Sequence, residues 1–477
     1  MHIIIVGAGL VGTQLAQHLI REKHDVSLIE ANEERARHAS NRLDCLVIHD
    51  EGNSIHALEE AGAAKADALV CVTDSDEINM IICGLAAFRY PRLLKIARVR
   101  NEDYVQLIPP GRGPQERAAG AQILGVDYFV HPDVEASRSV LNAIEHGAMG
   151  DILSFANTPY ELGSVDITGG SAFDGLALKD FRSLVEGESL VTLLERKGES
   201  ILPGGATVLA RGDRIHILAK EQEMDRVLKL AGRTERPLRK IGIVGGGRLG
   251  VLIAEGLLER EEARGFSFFT FIKTLMPRNS RRVIIIERDY NLCKELAARF
   301  PDALILNEDI SDESFVAEER LDDLDLIITT TNQQELNIIT AVYLKFRGVD
   351  RTIALVTGSG YAAIARQLGV DVVIPMKSVV VDSIISRLMG SGVRGVHRLG
   401  DGNIGIIEIE IGPQSAVVDT PLREFRLSAG GLVMLVNRGE TSFIPQGDYV
   451  FTQGDHIVLI TKNGNEPEIE RLFGISR

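Results

Sequence analysis

The stretch IIIVGAGLVG, residues 3–12, recurs as IGIVGGGRLG at 241–250. Each copy reads as a short apolar strand, a glycine turn and the first turn of a helix. Gly7, Gly9 and Gly12 set the G-x-G-x-x-G spacing around Leu10 and Val11. Gly245, Gly247 and Gly250 repeat it around Arg248 and Leu249. The first glycine permits the tight turn, the second lets backbone approach a phosphate, and the third lets helix and strand pack closely. The helix then aims N–H groups and the positive end of its dipole at an anion. The spacing alone is unspecific. Its place after an apolar strand, with an acid ending the next strand, reads as a dinucleotide-type fold.

The repeat extends outward from the glycines. DVSLIEAN (25–32) ends a second strand in Glu30, and RVIIIERD (282–289) ends its counterpart in Glu287. LVIHDEGNS (46–54) answers LILNEDISD (304–312), and ALVCVTDSDEINM (68–80) answers DLIITTTNQQELNI (325–338). KIARVRN (95–101) matches TIALVTG (352–358), and LGVDYFVHP (124–132) matches LGVDVVIPM (368–376). Strand and helix alternate, so each half is expected to hold a parallel sheet covered on both faces. Two further matching segments, 190–220 and 432–462, show short strands, Gly and Pro turns and a late Gly-Asp turn. They read as small α+β modules. The fold class is therefore α/β: two Rossmann-like parallel-sheet domains, each followed by a small α+β module. The expected boundaries are 1–148, 149–232, 239–390 and 391–477, with KLAGRTERPLRK (229–240) as the joint. A fusion of two copies explains this order and implies a pseudo-twofold assembly.

Site chemistry is read most directly in the first half. Glu30 is placed to accept hydrogen bonds from ribose hydroxyls and to repel a 2′-phosphate, which favours NAD over NADP; a solvated acid at a strand end is the alternative. Thr73 and Asn79 are expected on the ligand side of the crevice, after the fourth strand. Asp76 and Glu77 suit the first helical turn, where Asp76 could cap the helix. In KIARVR, Arg98 and Arg100 alternate with Ala97 and Val99 and so share one face. Two arginines on a parallel strand need a counter-charge, which a pyrophosphate or triphosphate would supply; an edge strand with solvated arginines is the alternative. At the second site Gly245, Gly247, Gly250 and Glu287 persist, but Leu355 and Thr357 stand where the arginines stood. That site is expected to bind NAD-like ligands weakly or to serve as architecture, with Arg248 as partial compensation; a solvated arginine on the helix surface is the alternative.

Composition removes other classes. The net charge of −15 argues against a nucleic-acid groove. No run of about 18 apolar residues is free of charge, so no transmembrane helix is expected. The start MHIIIVGAGLVG lacks the basic and long apolar parts of a secretory signal. Cys45, Cys71, Cys83 and Cys293 have no metal spacing and read as free thiols. The 11 histidines are scattered; His2, His24, His49, His56 and His131 read as structural. No GK[ST] phosphate loop and no catalytic constellation follow the glycine turns, so no enzyme is expected: the nucleotide is sensed and not consumed.

These residues resemble the TrkA family, the cytosolic nucleotide-binding subunits of bacterial Trk potassium uptake systems. That family carries two tandem RCK (KTN) units, each a nucleotide-binding fold followed by a TrkA-C module. GAGLVG, Glu30, TDSDEINM, IARVR, GGGRLG, IIIERD and the closing IERLF (469–473) carry the likeness across nearly the whole chain. The resemblance implies a cytoplasmic regulatory ring, usually tetrameric, docked on a membrane-embedded potassium-translocating subunit. It implies that NAD/NADH and ATP/ADP bind the glycine folds and gate that pore. Family members commonly end the third strand in Gly-Asp-Gly. Here Asp50, Glu51 and Gly52 occupy it, with Glu51 as an adenine-side candidate, and Glu308, Asp309 and Ile310 occupy it in the second half. The segment 259–282, which holds Phe266, Phe268, Phe269 and Phe271, is an insertion: a packed hairpin or an apolar contact patch. The rival functions are an NAD-dependent oxidoreductase and a sensor of another ligand such as a cyclic dinucleotide.

Overall fold

The run HIIIV forms β1 (His2–Val6), whose last four residues are buried, as a parallel strand covered on both faces requires. Around it lie β2 (Asp25–Glu30), β3 (Leu46–His49), β4 (Ala68–Cys71), β5 (Leu94–Arg98) and β6 (Tyr128–Val130). They pair in parallel in the order β3-β2-β1-β4-β5-β6. Helices α1 (Leu10–Arg21), α2 (Glu33–Arg42), α3 (Ile55–Glu60) and α4 (Asp76–Arg89) connect strands, and α5 (Pro132–Glu145) follows β6. Connections diverge between β1 and β4, so the carboxyl ends of these strands open a ligand crevice. This computed structural model describes the whole chain except residues 102, 105–122, 146–151, 156–157, 186, 198, 233–237, 265–281, 389–392, 400–403, 428–429, 440, 463–465 and 475–477.

The first small module holds β7 (Ile152–Ser154), β8 (Tyr160–Asp166), β9 (Ser189–Arg196), β10 (Glu199–Ile201) and β11 (Arg214–Lys220), with α6 (Leu178–Val185) and α7 (Glu221–Leu230). Its sheet is antiparallel, in the order β10-β9-β11-β8-β7. Residues 233–237 of the joint at 229–240 and 265–281 of the Phe-rich segment lie outside the described residues.

The second half repeats both layers. β12 (Lys240–Val244), β13 (Arg282–Glu287), β14 (Leu304–Asn307), β15 (Leu326–Thr329), β16 (Arg351–Val356) and β17 (Val372–Pro375) form a parallel sheet in the order β14-β13-β12-β15-β16-β17. Its helices are α8 (Arg248–Arg264), α9 (Tyr290–Arg299), α10 (Glu313–Glu318), α11 (Gln334–Arg347), α12 (Ser359–Gln367) and α13 (Met376–Leu388). β18 (Val393–Leu399), β19 (Ile404–Glu410), β20 (Gly431–Arg438), β21 (Thr441–Phe443), β22 (His456–Lys462) and α14 (Glu466–Phe473) complete the second module, in the strand order β18-β19-β22-β20-β21.

The halves exchange helices. α5 follows the first parallel sheet but packs against α8 of the second. Ala136, Val140 and Ile144 share a core with Ile243, Ile253 and Leu257. A Cβ on Gly256 of α8 would lie 2.3 Å from Leu141 Cδ1, so the missing side chain lets the two helices approach. Reciprocally, α13 packs against α1, and Val381, Ile384 and Leu388 share a core with Ile3, Ile5, Leu15 and the second-module residues Ile407 and Phe451. The two modules meet through Leu162, Leu193 and Leu218 on one side and Ile406, Met434 and Ile460 on the other. The expected pseudo-twofold arrangement thus takes the form of a reciprocal helix crossing.

Candidate functional site

Both glycine turns have the geometry their spacing implies. Gly7 has φ +105° and Gly245 φ +104°, a region that disfavours side chains. A Cβ on Gly12 would lie 1.9 Å from the Gly7 carbonyl oxygen, and one on Gly250 lies 2.0 Å from that of Gly245. Cβ atoms on Gly9 and Gly247 would meet nothing within 4 Å, so these glycines face open crevice. Gly9 caps α1 without any side-chain bond to its N–H groups, and no acid lies in its first turn. Leu10 is 67% exposed, whereas Val11 and Leu249 are buried under the turn.

The two strand-end acids are fixed by backbone. Ala8 N–H donates to Glu30 Oε2 at 2.5 Å and Asn32 N–H to Oε1 at 2.9 Å. Gly246 N–H donates to Glu287 Oε2 at 2.8 Å and Asp289 N–H to Oε1 at 2.9 Å. Each carboxylate therefore clamps its glycine turn to the following strand end and retains lone pairs for further donors such as ribose hydroxyls. For the buried Glu30 these bonds compensate the lost solvation. Glu51 is exposed on the loop after β3, where its N–H binds Asp50 Oδ1.

Asn79, expected on the ligand side, is fully buried. Its Oδ1 accepts from Thr73 N at 2.9 Å and Oγ1 at 2.7 Å, and its Nδ2 donates to the carbonyls of Thr73 and Arg98. Thr331 and Asn337 make the same set in the second half, with Leu355 in place of Arg98. Asn79 therefore shapes the loop and Thr73 stands at its rim. The helix cap is also corrected: Ser75 Oγ, not Asp76, accepts from Ile78 N–H. Asp76 instead accepts from the N–H groups of Arg100 and Asn101 at 2.7 and 2.8 Å.

The arginine pair also departs from expectation. β5 ends at Arg98, so only that residue lies on the strand. Counter-charge comes from the chain itself. Arg98 Nη2 donates to the Thr73 carbonyl at 2.7 Å and lies 3.4 Å from Asp74 Oδ1. Arg100 donates to the Asp74 carbonyl, and its Nε lies 3.7 Å from Asp76 Oδ1. Burial, followed by the neighbouring Arg100, pulls the Arg98 pKa below its ordinary value. Asp74 was not singled out by sequence reasoning, although its replacement by Asn332 in the repeat was a usable signal.

Arg248 lines a crevice of the second half with Gly247, Asn332 and Thr357, and it also reaches the first half. It donates to the Arg100 carbonyl of the first half, and its Nε lies 3.8 Å from Asp133 Oδ2 at the start of α5. This is a physical consequence of the helix crossing, which brings the second glycine turn to the edge of the first crevice. The second half keeps a crevice of about 420 Å³ lined by Gly245, Gly247, Glu287, Asp309, Thr331 and others.

Other groups have structural partners. Asp127 accepts from Lys95 N–H and pairs with its buried ammonium at 3.0 Å; Asp371 accepts from Thr352 N–H at the equivalent place. The repeated LGVD was the signal for both. His2, His49 and His131 bond Ser27, Ala31 and Arg100. The four cysteines are free, with Cys45 half-buried. Among the described residues no group of His, Cys, Asp or Glu could hold a metal, and no helix is long and apolar enough to cross a membrane.

The TrkA-N domain model matches residues 3–113 and 269–375, and the TrkA-C domain model matches 162–232 and 406–474. The chain is 28% identical to the Trk system potassium uptake protein TrkA of Haemophilus influenzae, over 99% of this chain and 98% of that protein. It is 27% identical to the protein of that name from Halomonas elongata, over 100% and 99%. Among solved structures, the GsuK channel is similar with a TM-score of 0.55 at 17% identity, over 100% of this chain and 79% of that one. A structure titled as that channel bound to NAD gives 0.54 at the same identity and coverage; these two likenesses speak for the fold. Between them the domain models cover most of both halves, in the order of the sheets described above, and the chain belongs to the TrkA family.

Proposed function

We propose that this chain is the nucleotide-sensing regulatory subunit of a potassium uptake system, which binds NAD(H) and ATP or ADP in its glycine crevices and controls a membrane-embedded translocating subunit. The observation that carries the reading is the pair of glycine turns, each open at its second glycine and each clamped by a strand-end acid, in a chain collinear with Trk potassium uptake proteins. The site residues are Gly7, Gly9, Gly12, Glu30 and Thr73 with Arg98 and Arg100, and Gly245, Gly247, Gly250 and Glu287 in the second half. Arg248 joins the first site from across the crossing. The protein acts at the inner face of the membrane through its partner and performs no catalysis. Self-association is supported by matched apolar surfaces: Phe88 of α4 and Phe346 of α11 are 93% and 89% exposed at equivalent positions, and large exposed apolar side chains at repeated places favour assembly. A tetrameric ring is the proposed form.

Two measurements test this. Titration of the purified chain with NADH, NAD, ATP and ADP should give saturable binding without turnover. Expression in cells lacking their own TrkA-type subunit should restore growth at limiting potassium. Consumption of NAD with a substrate, or growth that is indifferent to the chain, would replace this reading with an oxidoreductase or another sensor.

A further inference from the structure

Asp74 lies on the loop between β4 and α4, at the carboxyl edge of the first sheet, and its side chain is 79% exposed. Its carboxylate reaches Arg98 Nη2 at 3.4 Å and Arg35 Nη1 of α2 at 3.7 Å. Arg98 is only 12% exposed at its side chain, and its buried Nε has no hydrogen-bond partner. A buried guanidinium with an unmet donor is costly and calls for an acceptor.

The second half is an internal control. Asp74, Asp76, Arg98 and Arg100 correspond to Asn332, Gln334, Leu355 and Thr357, so all four charges are missing together. The loop folds the same way without them, as the matching Thr331–Asn337 bonds attest. Gln334 Oε1 even preserves the Asp76 role, accepting from Thr357 N–H at 3.0 Å. Asp76 thus has a backbone task that a neutral residue can perform. The contacts of the Asp74 carboxylate are to arginines, and the repeat shows that the loop needs no charge there.

We propose that Asp74 is a displaceable counter-ion for the phosphate subsite of the first nucleotide site, so that this residue sets how strongly the site discriminates by phosphate charge. The proposal rests on reading that crevice as a nucleotide site. In the ligand-free chain Asp74 neutralises Arg98 and ties Arg35, and with it α2, to the loop over the crevice. An incoming terminal phosphate offers more charge and several oxygens to a guanidinium that accepts bidentate partners. Asp74 then swings into water at little cost, because it is already exposed, and α2 is released from the loop. A ligand with fewer or more distant phosphate charges leaves the Asp74 contacts in place.

The test is calorimetric titration of the full chain with ATP, ADP and NAD at fixed ionic strength, using wild type, Asp74→Asn, Arg98→Gln and the double variant. Asn332 shows that asparagine fits this loop, so Asp74→Asn is expected to melt as wild type does. Exposed ion pairs are each worth a few-fold in an equilibrium constant. Asp74→Asn should therefore tighten ATP binding by roughly three- to tenfold and NAD binding by less, and it should have no such effect in the Arg98→Gln background. ATP affinity that is unchanged or weaker in Asp74→Asn overturns the proposal, as does tightening that persists without Arg98. Absence of nucleotide binding by wild type overturns the underlying reading of the crevice together with the proposal. Wild-type binding without the Asp74 effect overturns the proposal alone.

Discussion

Gly9 and Gly12 stand three residues apart and carry different loads. Gly9 has an ordinary φ of −69° and open space where a Cβ would go, so alanine fits the apo protein and intrudes only on a ligand. Gly12 sits against the Gly7 carbonyl at a distance no Cβ tolerates. Gly9→Ala should therefore melt within about a degree of wild type and bind NAD or ATP roughly tenfold more weakly, about 1.4 kcal/mol. Gly12→Ala should cost about 1–3 kcal/mol of stability as overpacking does, read by chemical denaturation. Equal stability losses in the two variants would refute this division. Glu30 teaches a related lesson: the acid was legible as a strand-end carboxylate, but its use as a clamp on the Ala8 and Asn32 amides was not. Those partners are neighbours in space that alternation and spacing do not specify.

At the scale of elements, the Gly-Asp turns of the small modules were legible and their role is now physical. Gly212 and Gly454 adopt φ of +89° and +83°, and the following aspartates turn back onto an arginine at the end of a neighbouring strand. Asp213 pairs with Arg196 at 2.6 Å, and Asp455 with Arg438 at 2.7 Å. Burial opposes ionisation of Asp455, but Arg438, the Tyr449 hydroxyl and the Thr452 donors prevail and hold its carboxyl down at about 2 from an ordinary 3.8. Asp213 is lowered too, first by the Arg196 hydrogen bond. A carboxyl whose folded pKa is depressed stabilises the fold above its unfolded pKa, and that contribution is lost as pH falls through the folded value. The chain should accordingly lose melting temperature between about pH 4 and pH 2. Asp455→Asn should melt lower at neutral pH and decline less steeply across that window. An unchanged acid slope would show that the pair contributes nothing there.

At the scale of the molecule, the two halves are joined by exchanged helices, so stability crosses the repeat. Ile384 belongs by sequence to the second half, yet it is fully buried in one core with Ile3, Ile5 and Leu15 of the first. Ile384→Ala should cost about 2–5 kcal/mol, and hydrogen exchange should show lost amide protection in β1 as well as in α13. Loss confined to α13 would mean that the crossing is not energetically coupled. By itself the sequence determined the doubled α/β architecture, the parallel sheets implied by strand–helix alternation, the glycine cradles and the strand-end acids, because these follow from local periodicity and backbone sterics. The tertiary structure alone decided where the charges go: that Asp74 and Asp76 answer Arg98 and Arg100, that Ser75 caps α4, and that Arg248 of the second turn reaches Arg100 and Asp133 of the first half. Side-chain pairing between segments far apart in the chain is a matter of distance in space, and the helix crossing that sets those distances depends on packing across the whole molecule.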